Sequence, residues 1–502
     1  MSIVEKYDSV VVGAGAGGLS MALVLALSGR RRILVVEKSE RPGGALGSFH
    51  RSGVRLDAGF HFAGAMHDGG LFDSVSRLLG LRDAIRPVFL DSERANVFNF
   101  ESSGRSVEFP YGLERLRTSL KAQFPGECLA VDRYFDTIER VRLGTPTLDL
   151  ATAHLSPRPL AEDFVTLKEY LEGVTENRLL RETLSALVMC HGSAPSEISM
   201  ADNARLCQGF YESVATLDGG GTALVDAFLA RLAELGVEIA CSEEVVGFAE
   251  VSERRVGRFL LKSGREVAAD ETVFTLNPKT VASILPRGEY PPAFFHRIDS
   301  FESSPGFFTV FATLEDDSAG AEGEGVITSS YPVDDIDALS LPGWEGPGGL
   351  AITFSRSSGK RVMTAFEPLY WESVSKWSDS SVGDRPLGYE RWKREKTDEI
   401  LARVATLFPS CRGKMELVTS CTPLTYRDYL YHHHGAAYGI KHKVGQMNLM
   451  GRSRLRNVYF AGQSAVLPGV LGTIAASLLV AKNIFGDAEF ADFVAMRCQS
   501  GL

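Results

Sequence analysis

The sequence predicts an α/β fold in which strands and helices alternate. Three stretches indicate it. In residues 9–37, two short apolar runs flank a glycine-rich turn and a run of helix formers. In residues 219–251 a helix pattern leads into a strand pattern, and in residues 456–486 a strand pattern, a loop and an apolar helix pattern follow one another. Strands that alternate with helices favour parallel pairing in a sheet that the helices cover.

Length and composition set the class of protein. The chain has 502 residues, 44% of them apolar and 23% charged, which suits two or more globular domains or one interleaved pair. The net charge of −10 argues against nucleic acid as the main partner, because phosphate binding needs clustered Lys and Arg. No signal peptide and no apolar run of about 18 residues stands out. We therefore expect a cytoplasmic protein, and peripheral membrane contact stays open.

The first stretch has the order strand, glycine turn, helix, strand. Ser9 to Val12 is an apolar run, Leu19 to Leu27 is apolar and rich in helix formers, and Ile33 to Val36 is a second apolar run. Gly29 follows the helix pattern and ends it. This order is that of a dinucleotide-binding βαβ unit.

The glycines of the first turn have the spacing G-x-G-x-x-G. Gly13 permits the tight turn, Gly15 lets the backbone approach a pyrophosphate, and Gly18 lets the helix pack against the strand. The helix N-terminus offers free N–H groups and the positive end of its dipole to the phosphates. Glu37 closes the second strand and is placed to accept hydrogen bonds from an adenosine ribose. The complete unit predicts a dinucleotide site.

The turn alone does not separate FAD from NAD, but the segment after Glu37 does. Arg41, Gly43, Gly44 and Ser48 follow the acid. This segment resembles the glycine-rich extension of the FAD-dependent amine oxidase and phytoene desaturase superfamily, which wraps the diphosphate and ribityl chain of the flavin. The resemblance implies that these four residues contact FAD.

A second segment narrows the resemblance. Residues 56–66, "LDAGFHFAGAM", are similar to the pattern D-x-G-x-H-[aromatic]-x-G of retinol saturases and carotenoid isomerases. The matching positions are Asp57, Gly59, His61, Phe62 and Gly64. The resemblance makes His61 a candidate proton donor or electrostatic partner near the flavin, and a buried structural histidine is the alternative.

The C-terminal block resembles the strand, loop and helix that close over the flavin in this superfamily. Val458 to Ala461 is the expected strand, and the apolar helix is expected from Thr473. Gln463 follows Gly462 where the family usually has an acid, and an amide can still donate and accept hydrogen bonds. Backbone N–H groups of Gly469, Gly472 and Thr473 are expected near the isoalloxazine, where a positive dipole stabilises an anionic reduced flavin.

The chain is thus identified as similar to FAD-dependent phytoene desaturase-type oxidoreductases, closest in pattern to retinol saturases and carotenoid isomerases. The resemblance implies a Rossmann-like FAD-binding domain of the glutathione-reductase type, interleaved with an α+β substrate-binding domain. It also places Val245 beside the adenine. The expected FAD-binding parts are 1–90, 210–290 and 440–490, and the expected substrate-binding parts are 91–209 and 291–439.

The intermediate segments carry less information. Residues 111–141 and 163–200 have helical spacing of their apolar residues, and the second pattern breaks at residues 192–195. Residues 315–350 are rich in Gly and acidic residues, which predicts a surface loop, with part of a lid as the alternative.

The histidines of "YLYHHHGAAYGIKH", residues 429–442, raise the question of a metal site. If the run is a strand, His432 and His434 share one face. No spaced Cys or Glu completes a tetrahedral zinc site, and the seven cysteines are scattered without a CxxC pair, as reduced thiols are. We therefore expect no metal. The segment resembles the family's wall between substrate and flavin, which makes His434 and Tyr438 candidate catalytic residues.

Several reactions are consistent with this family. FAD with a long apolar slot can saturate, desaturate or isomerise the C=C bonds of a carotenoid- or retinoid-like polyene, and a reductase would take electrons from transiently bound NAD(P)H. The first alternative is a reductase or reductive cyclase of a polyketide-derived polyene, as in polycyclic tetramate macrolactam biosynthesis. The second is a flavin-less binding protein like the Rab GDP-dissociation inhibitors. The sequence does not indicate an oligomeric state.

Overall fold

The fold is that of a computed structural model, which describes residues 4–315, 318–465 and 467–500. Two large sheets organise it. Eight strands within the described residues form the first sheet, in which Val4–Val12 pairs in parallel with Ile33–Val36 on one side and with Glu266–Phe274 on the other. The remaining strands of the first sheet are Glu238–Ala240, Val245–Ser252, Arg255–Leu261, Gly451–Arg452 and Val458–Phe460.

The second sheet has seven strands among the residues described, and most of its pairs are antiparallel. Asn96–Phe100 and Ile327–Tyr331 form its parallel pair. In spatial order the strands are Met415–Cys421, Gly306–Leu314, Lys360–Leu369, Leu350–Ser357, Ile327–Tyr331, Asn96–Phe100 and Arg105–Phe109. Smaller pairings join Ser48–Arg51 to Val54–Asp57, and Val214–Leu217 to Ala63–Gly64 and Pro87–Phe89.

Helices cover both sheets. The helices are Ala16–Leu27, Leu71–Leu79, Leu113–Gln123, Cys128–Gly144, Leu167–Val174, Arg178–Ser185, Met200–Glu212, Gly220–Glu234, Pro278–Ile284, Pro292–Asp299, Ile336–Leu339, Leu387–Leu407, Pro423–Leu430, Gly469–Phe485 and Asp487–Ser500. Within the described ranges, no helix combines the length and the apolar character that crossing a membrane requires.

The first helix is apolar on nearly every side because it is enclosed by other elements. Ala16–Leu27 packs against Gly220–Glu234 and Gly469–Phe485, and its apolar residues belong to one large buried cluster. Ser20 and Ser477 join the first helix to the C-terminal helix through a buried hydrogen bond of 2.8 Å between their hydroxyls. This packing brings the N-terminal turn and the C-terminal loop to the same edge of the first sheet.

The chain enters the first sheet in three separate portions and builds the second sheet between them. Strands of the first sheet come from residues 4–36, 238–274 and 451–460, and strands of the second sheet come from residues 96–109 and 306–421. This arrangement confirms the predicted α/β fold class and its interleaving. The limits given above for the two domains stay a prediction.

Several local expectations were wrong. The histidine run is not a strand: it forms a turn in which His434 adopts a left-handed conformation, φ 54°. The C-terminal helix begins at Gly469, so Thr473 lies one turn inside it. The supposed surface loop of residues 315–350 contains the buried strand Ile327–Tyr331 and the short helix Ile336–Leu339.

Candidate cofactor and substrate site

The glycine turn has the geometry that its spacing predicts. Gly13 lies in the left-handed region at φ 103°, and its N–H donates to the carbonyl of Val36 at 2.8 Å. A Cβ on Gly18 would lie 1.7 Å from the carbonyl oxygen of Gly13, so only glycine fits between helix and strand there. A Cβ on Gly15 would meet nothing within 4 Å, because that side of the turn faces an open cavity.

Glu37 closes the second strand and contacts the same turn. Its carboxylate accepts hydrogen bonds from the backbone N–H groups of Ala14 at 2.6 Å and Ser39 at 2.7 Å. The side chain is nearly buried, yet it lines the cavity beside the turn. A carboxylate has further lone pairs with which to accept hydrogen bonds from a ligand hydroxyl.

A cavity of about 650 Å³ runs along this edge of the first sheet and is called the smaller cavity below. Nine residues predicted to bind the cofactor line it: Gly13, Gly15, Glu37, Gly44, Val245, Gly462, Gln463, Gly469 and Thr473. These residues come from all three portions of the chain that build the first sheet, so the fold brings together segments that are distant in sequence.

The other predicted cofactor residues lie outside the lining of the smaller cavity. Gly18 and Gly43 support it from behind, since the N–H of Gly43 donates to the carbonyl of Ala14 at 2.8 Å. Arg41 is exposed, and the hydroxyl of Ser48 accepts a hydrogen bond from Thr222 at 2.9 Å. Gly472 lines a second cavity instead, described next.

The second cavity has a volume of about 710 Å³ and is called the larger cavity below. One face of the second sheet forms its floor, and apolar residues predominate in its lining. The floor residues, in strand order, are Phe307 and Thr309, then Phe366, Ala351, Ile327 and Ser329, and finally Asn96 and Phe98.

The two cavities share one wall. Eight residues line both of them: Ala45, Gly59, Leu430, His432, Ala437, Tyr438, Gly469 and Val470. Four of the eight are glycine or alanine, so groups in the two cavities can approach each other closely at those positions. A planar ring in the smaller cavity and a chain in the larger one would meet here.

Tyr438 is the predicted catalytic residue that lies on the shared wall. Its ring contacts the edge of Phe307, with centroids 6.1 Å apart, and its hydroxyl has no hydrogen-bond partner among the residues described. Burial raises the pKa of Tyr438 well above its usual value. The hydroxyl therefore stays protonated throughout the physiological range.

His61 lies in the larger cavity, away from the shared wall. Its ring stacks on Phe366, with centroids 5.2 Å apart and the planes 13° from parallel. Burial lowers the pKa of His61 to about 4. A neutral imidazole in a stacked position is suited to shaping the cavity and is poorly suited to supplying protons at neutral pH.

Of the two histidines expected on one face, only His432 lies on the shared wall. His434 is exposed, lines only the smaller cavity and stacks on Trp371 with centroids 4.9 Å apart. His432 lies on the shared wall, and its Nδ1 is buried without a hydrogen-bond partner among the described residues. Burial lowers the pKa of both. The three-histidine run in the sequence pointed to His432 as well as to His434. Which of the two rings faces the shared wall depends on the left-handed backbone at His434.

Known proteins are similar to this chain over most of its length. A family model described as flavin containing amine oxidoreductase matches residues 16–338. The all-trans-retinol 13,14-reductase of Rattus norvegicus is 24% identical over 98% of this chain and 88% of its own length. The chloroplastic prolycopene isomerase of Daucus carota is 23% identical over 96% of this chain and 80% of its own length.

Solved structures agree on the fold. An oxidoreductase from Methanosarcina mazei superposes with a TM-score of 0.64 at 14% identity, covering 95% of this chain and all of its own. The family match covers more than half of the chain and includes the helix Ala16–Leu27, so the flavin-less binding protein is set aside. The chain belongs to the flavin containing amine oxidoreductase family and is an FAD-dependent oxidoreductase related to retinol 13,14-reductases and prolycopene isomerases.

Proposed function

We propose that this protein reduces a carbon–carbon double bond of a hydrophobic conjugated polyene, with FAD in the smaller cavity and the polyene in the larger one. The observation that carries the proposal is the wall that the two cavities share at Ala437 and Tyr438. Redox chemistry between a flavin and a substrate requires direct approach of the reacting atoms, and the shared wall allows it.

The smaller cavity fits FAD. The open side of Gly15 lets a diphosphate reach the N-terminus of the helix Ala16–Leu27, where N–H groups and the helix dipole favour anions. Glu37 would accept hydrogen bonds from the ribose, and Val245 would contact the adenine. Thr473, inside the C-terminal helix, would lie near the isoalloxazine. Bound FAD would supply the hydride transfer.

The reaction also needs a proton, and Tyr438 is the group that we assign to provide it. Its hydroxyl is protonated, lacks a partner among the described residues and borders both cavities. The phenol would donate its proton to the substrate and recover one from solvent. The aromatic floor at Phe307 and Phe366 would hold the polyene in position and exclude water from this end of the cavity.

Reduction is favoured over desaturation by the basicity of the nearby groups. Desaturation needs a base that accepts a proton from the substrate. His61 and His432, which both line the larger cavity, have pKa values lowered by burial and are therefore weak bases. A protonated phenol with weakly basic neighbours suits proton donation. The name of the rat relative, a retinol reductase, agrees with this direction.

Anaerobic flavin spectroscopy tests the proposal. The purified holoenzyme is first mixed with NADPH or NADH without oxygen. Polyenes are then added one at a time from a panel of all-trans-retinol, prolycopene and polyene aldehydes. Bleaching by the nicotinamide and reoxidation by a polyene, with a product two hydrogens heavier, is the expected result. Bleaching by a polyene alone would instead establish a desaturase. A product of unchanged mass would establish an isomerase, and a product two hydrogens heavier that has a new ring would establish a reductive cyclase.

His61→Ala is expected to retain FAD and to lower kcat/KM by roughly 3- to 10-fold, which is what loss of one aromatic stacking contact costs. His61→Phe keeps the stack on Phe366 and should recover most of the loss. Because the pKa of His61 lies near 4, the pH–rate profile of the two variants between about pH 6 and 9 should match that of the unmodified enzyme. A loss of kcat above about 100-fold that Phe does not restore would make His61 the proton donor.

A further inference from the structure

The floor of the larger cavity changes in character from one end to the other. Near the shared wall it is aromatic: Phe307 contacts Tyr438, and Phe366 contacts Phe307 with ring centroids 5.6 Å apart. The strands that follow are Leu350–Ser357, Ile327–Tyr331 and Asn96–Phe100. Four strand spacings of about 4.8 Å separate Gly306–Leu314, the strand of Phe307, from Asn96–Phe100, so the far end lies roughly 19 Å away.

The far end of the floor has two polar side chains beside the apolar Ile327 and Phe98. Asn96 is 5% exposed and Ser329 is 4% exposed, and both line the larger cavity. The side-chain amide of Asn96 forms no hydrogen bond with any residue in the described ranges, and its contact is with the cavity. The neighbouring Asn99 differs, because its amide donates to the carbonyl of Ser329 at 3.3 Å.

The amide of Asn96 borders the cavity and has no partner among the described residues, so its partner must be whatever occupies the cavity. Nearly all buried side-chain polar groups in proteins have a hydrogen-bond partner, and an unsatisfied one lowers stability. The strand could have a leucine at this position, since the cavity beyond Asn96 is largely apolar. An amide that faces the cavity, beside a hydroxyl, is the arrangement expected where a ligand oxygen is recognised.

We infer that Asn96 and Ser329 form a recognition subsite for an oxygen atom at one end of the polyene, opposite the end that is reduced. The inference rests on the proposed function and narrows its substrate class. The substrate is an amphipathic polyene whose far end has a carbonyl or hydroxyl group, as retinoids and polyketide-derived polyenes have. A pure hydrocarbon would leave the amide of Asn96 unpaired and bind more weakly.

Asn96→Leu in the FAD-containing enzyme tests the subsite. The probes are an apocarotenal, which is a long polyene aldehyde, and the hydrocarbon in which a methyl group replaces the aldehyde. Affinity is read from the change in the flavin absorption spectrum during titration. The unmodified enzyme should prefer the aldehyde by roughly 10-fold, and Asn96→Leu should remove the preference by weakening aldehyde binding alone.

Asn99→Leu is the matched control, because the same change falls on the opposite face of the same strand and outside the cavity lining. It should keep the preference for the aldehyde. Equal binding of both probes by the unmodified enzyme, or a preference that survives Asn96→Leu, would overturn the subsite while leaving the proposed function intact. If neither probe perturbs the flavin, the polyene proposal fails and the subsite fails with it.

Discussion

Gly15→Val is expected to give a folded protein that purifies without FAD. The backbone at Gly15 is extended, with φ −78° and ψ −171°, which valine adopts without strain. The new side chain would nevertheless point into the smaller cavity, where a Cβ meets no protein atom within 4 Å and where a diphosphate would lie against the helix N-terminus. Overpacking that costs about 1–3 kcal/mol weakens binding by roughly 10- to 100-fold. The backbone of the glycine turn cannot move away from the new side chain, so we expect a loss in the upper part of that range.

The measurement is the flavin content per chain, from absorption, together with thermal unfolding of the apo-protein. Gly173→Val is the matched control, because Gly173 also has an open Cβ position but lies in the helix Leu167–Val174, outside both cavities. The control should retain full flavin content. Full FAD occupancy in Gly15→Val would show that the diphosphate of FAD does not bind at this turn.

Local sequence chemistry was enough to predict the first portion of the fold. Gly13 and Gly18 fill the roles that their spacing indicates, and Ile33–Val36 has the expected limits. These features depend on contacts between residues that lie within about 25 positions of each other, so a local sequence pattern is enough to predict them. The helix Ala16–Leu27 begins earlier than predicted because Ala16 to Gly18 complete its first turn, despite the low helix propensity of glycine.

Features that depend on distant contacts were predicted less well. Ile327–Tyr331 has the sequence ITSSY, which looks like a loop, yet it is buried because strands on both sides pair with it. The choice between His432 and His434 depends on one left-handed residue in a turn. Arg41 is exposed and Ser48 pairs with Thr222, so the contact of these two residues with FAD stays a prediction.

The shared wall could not be read from any single segment. Ala45, Gly59, Ala437 and Gly469 are ordinary small residues in sequence, and only the fold brings them together around Tyr438. The sequence did not indicate Asn96 as a site residue either, since an asparagine in a strand of alternating apolar and polar residues normally faces solvent. Its burial follows from the position of its strand in the floor of the larger cavity.

Tyr438→Phe is expected to keep both FAD and polyene binding and to lower turnover by roughly 100-fold or more, the usual loss when a general acid is removed. The change deletes one hydroxyl and leaves the ring against Phe307, so the shared wall keeps its shape. The affected step should be reoxidation of the reduced flavin by the polyene. Reduction of the flavin by nicotinamide does not use this proton and should be unchanged.

Tyr426→Phe is the matched control for this variant. Tyr426 also lines the larger cavity, but its hydroxyl already pairs with that of Thr309 at 2.8 Å. Its loss should cost stability and leave the rate of reoxidation nearly unchanged. If Tyr438→Phe reoxidises at the normal rate while Tyr426→Phe does not, the proton comes from the hydroxyl of Tyr426.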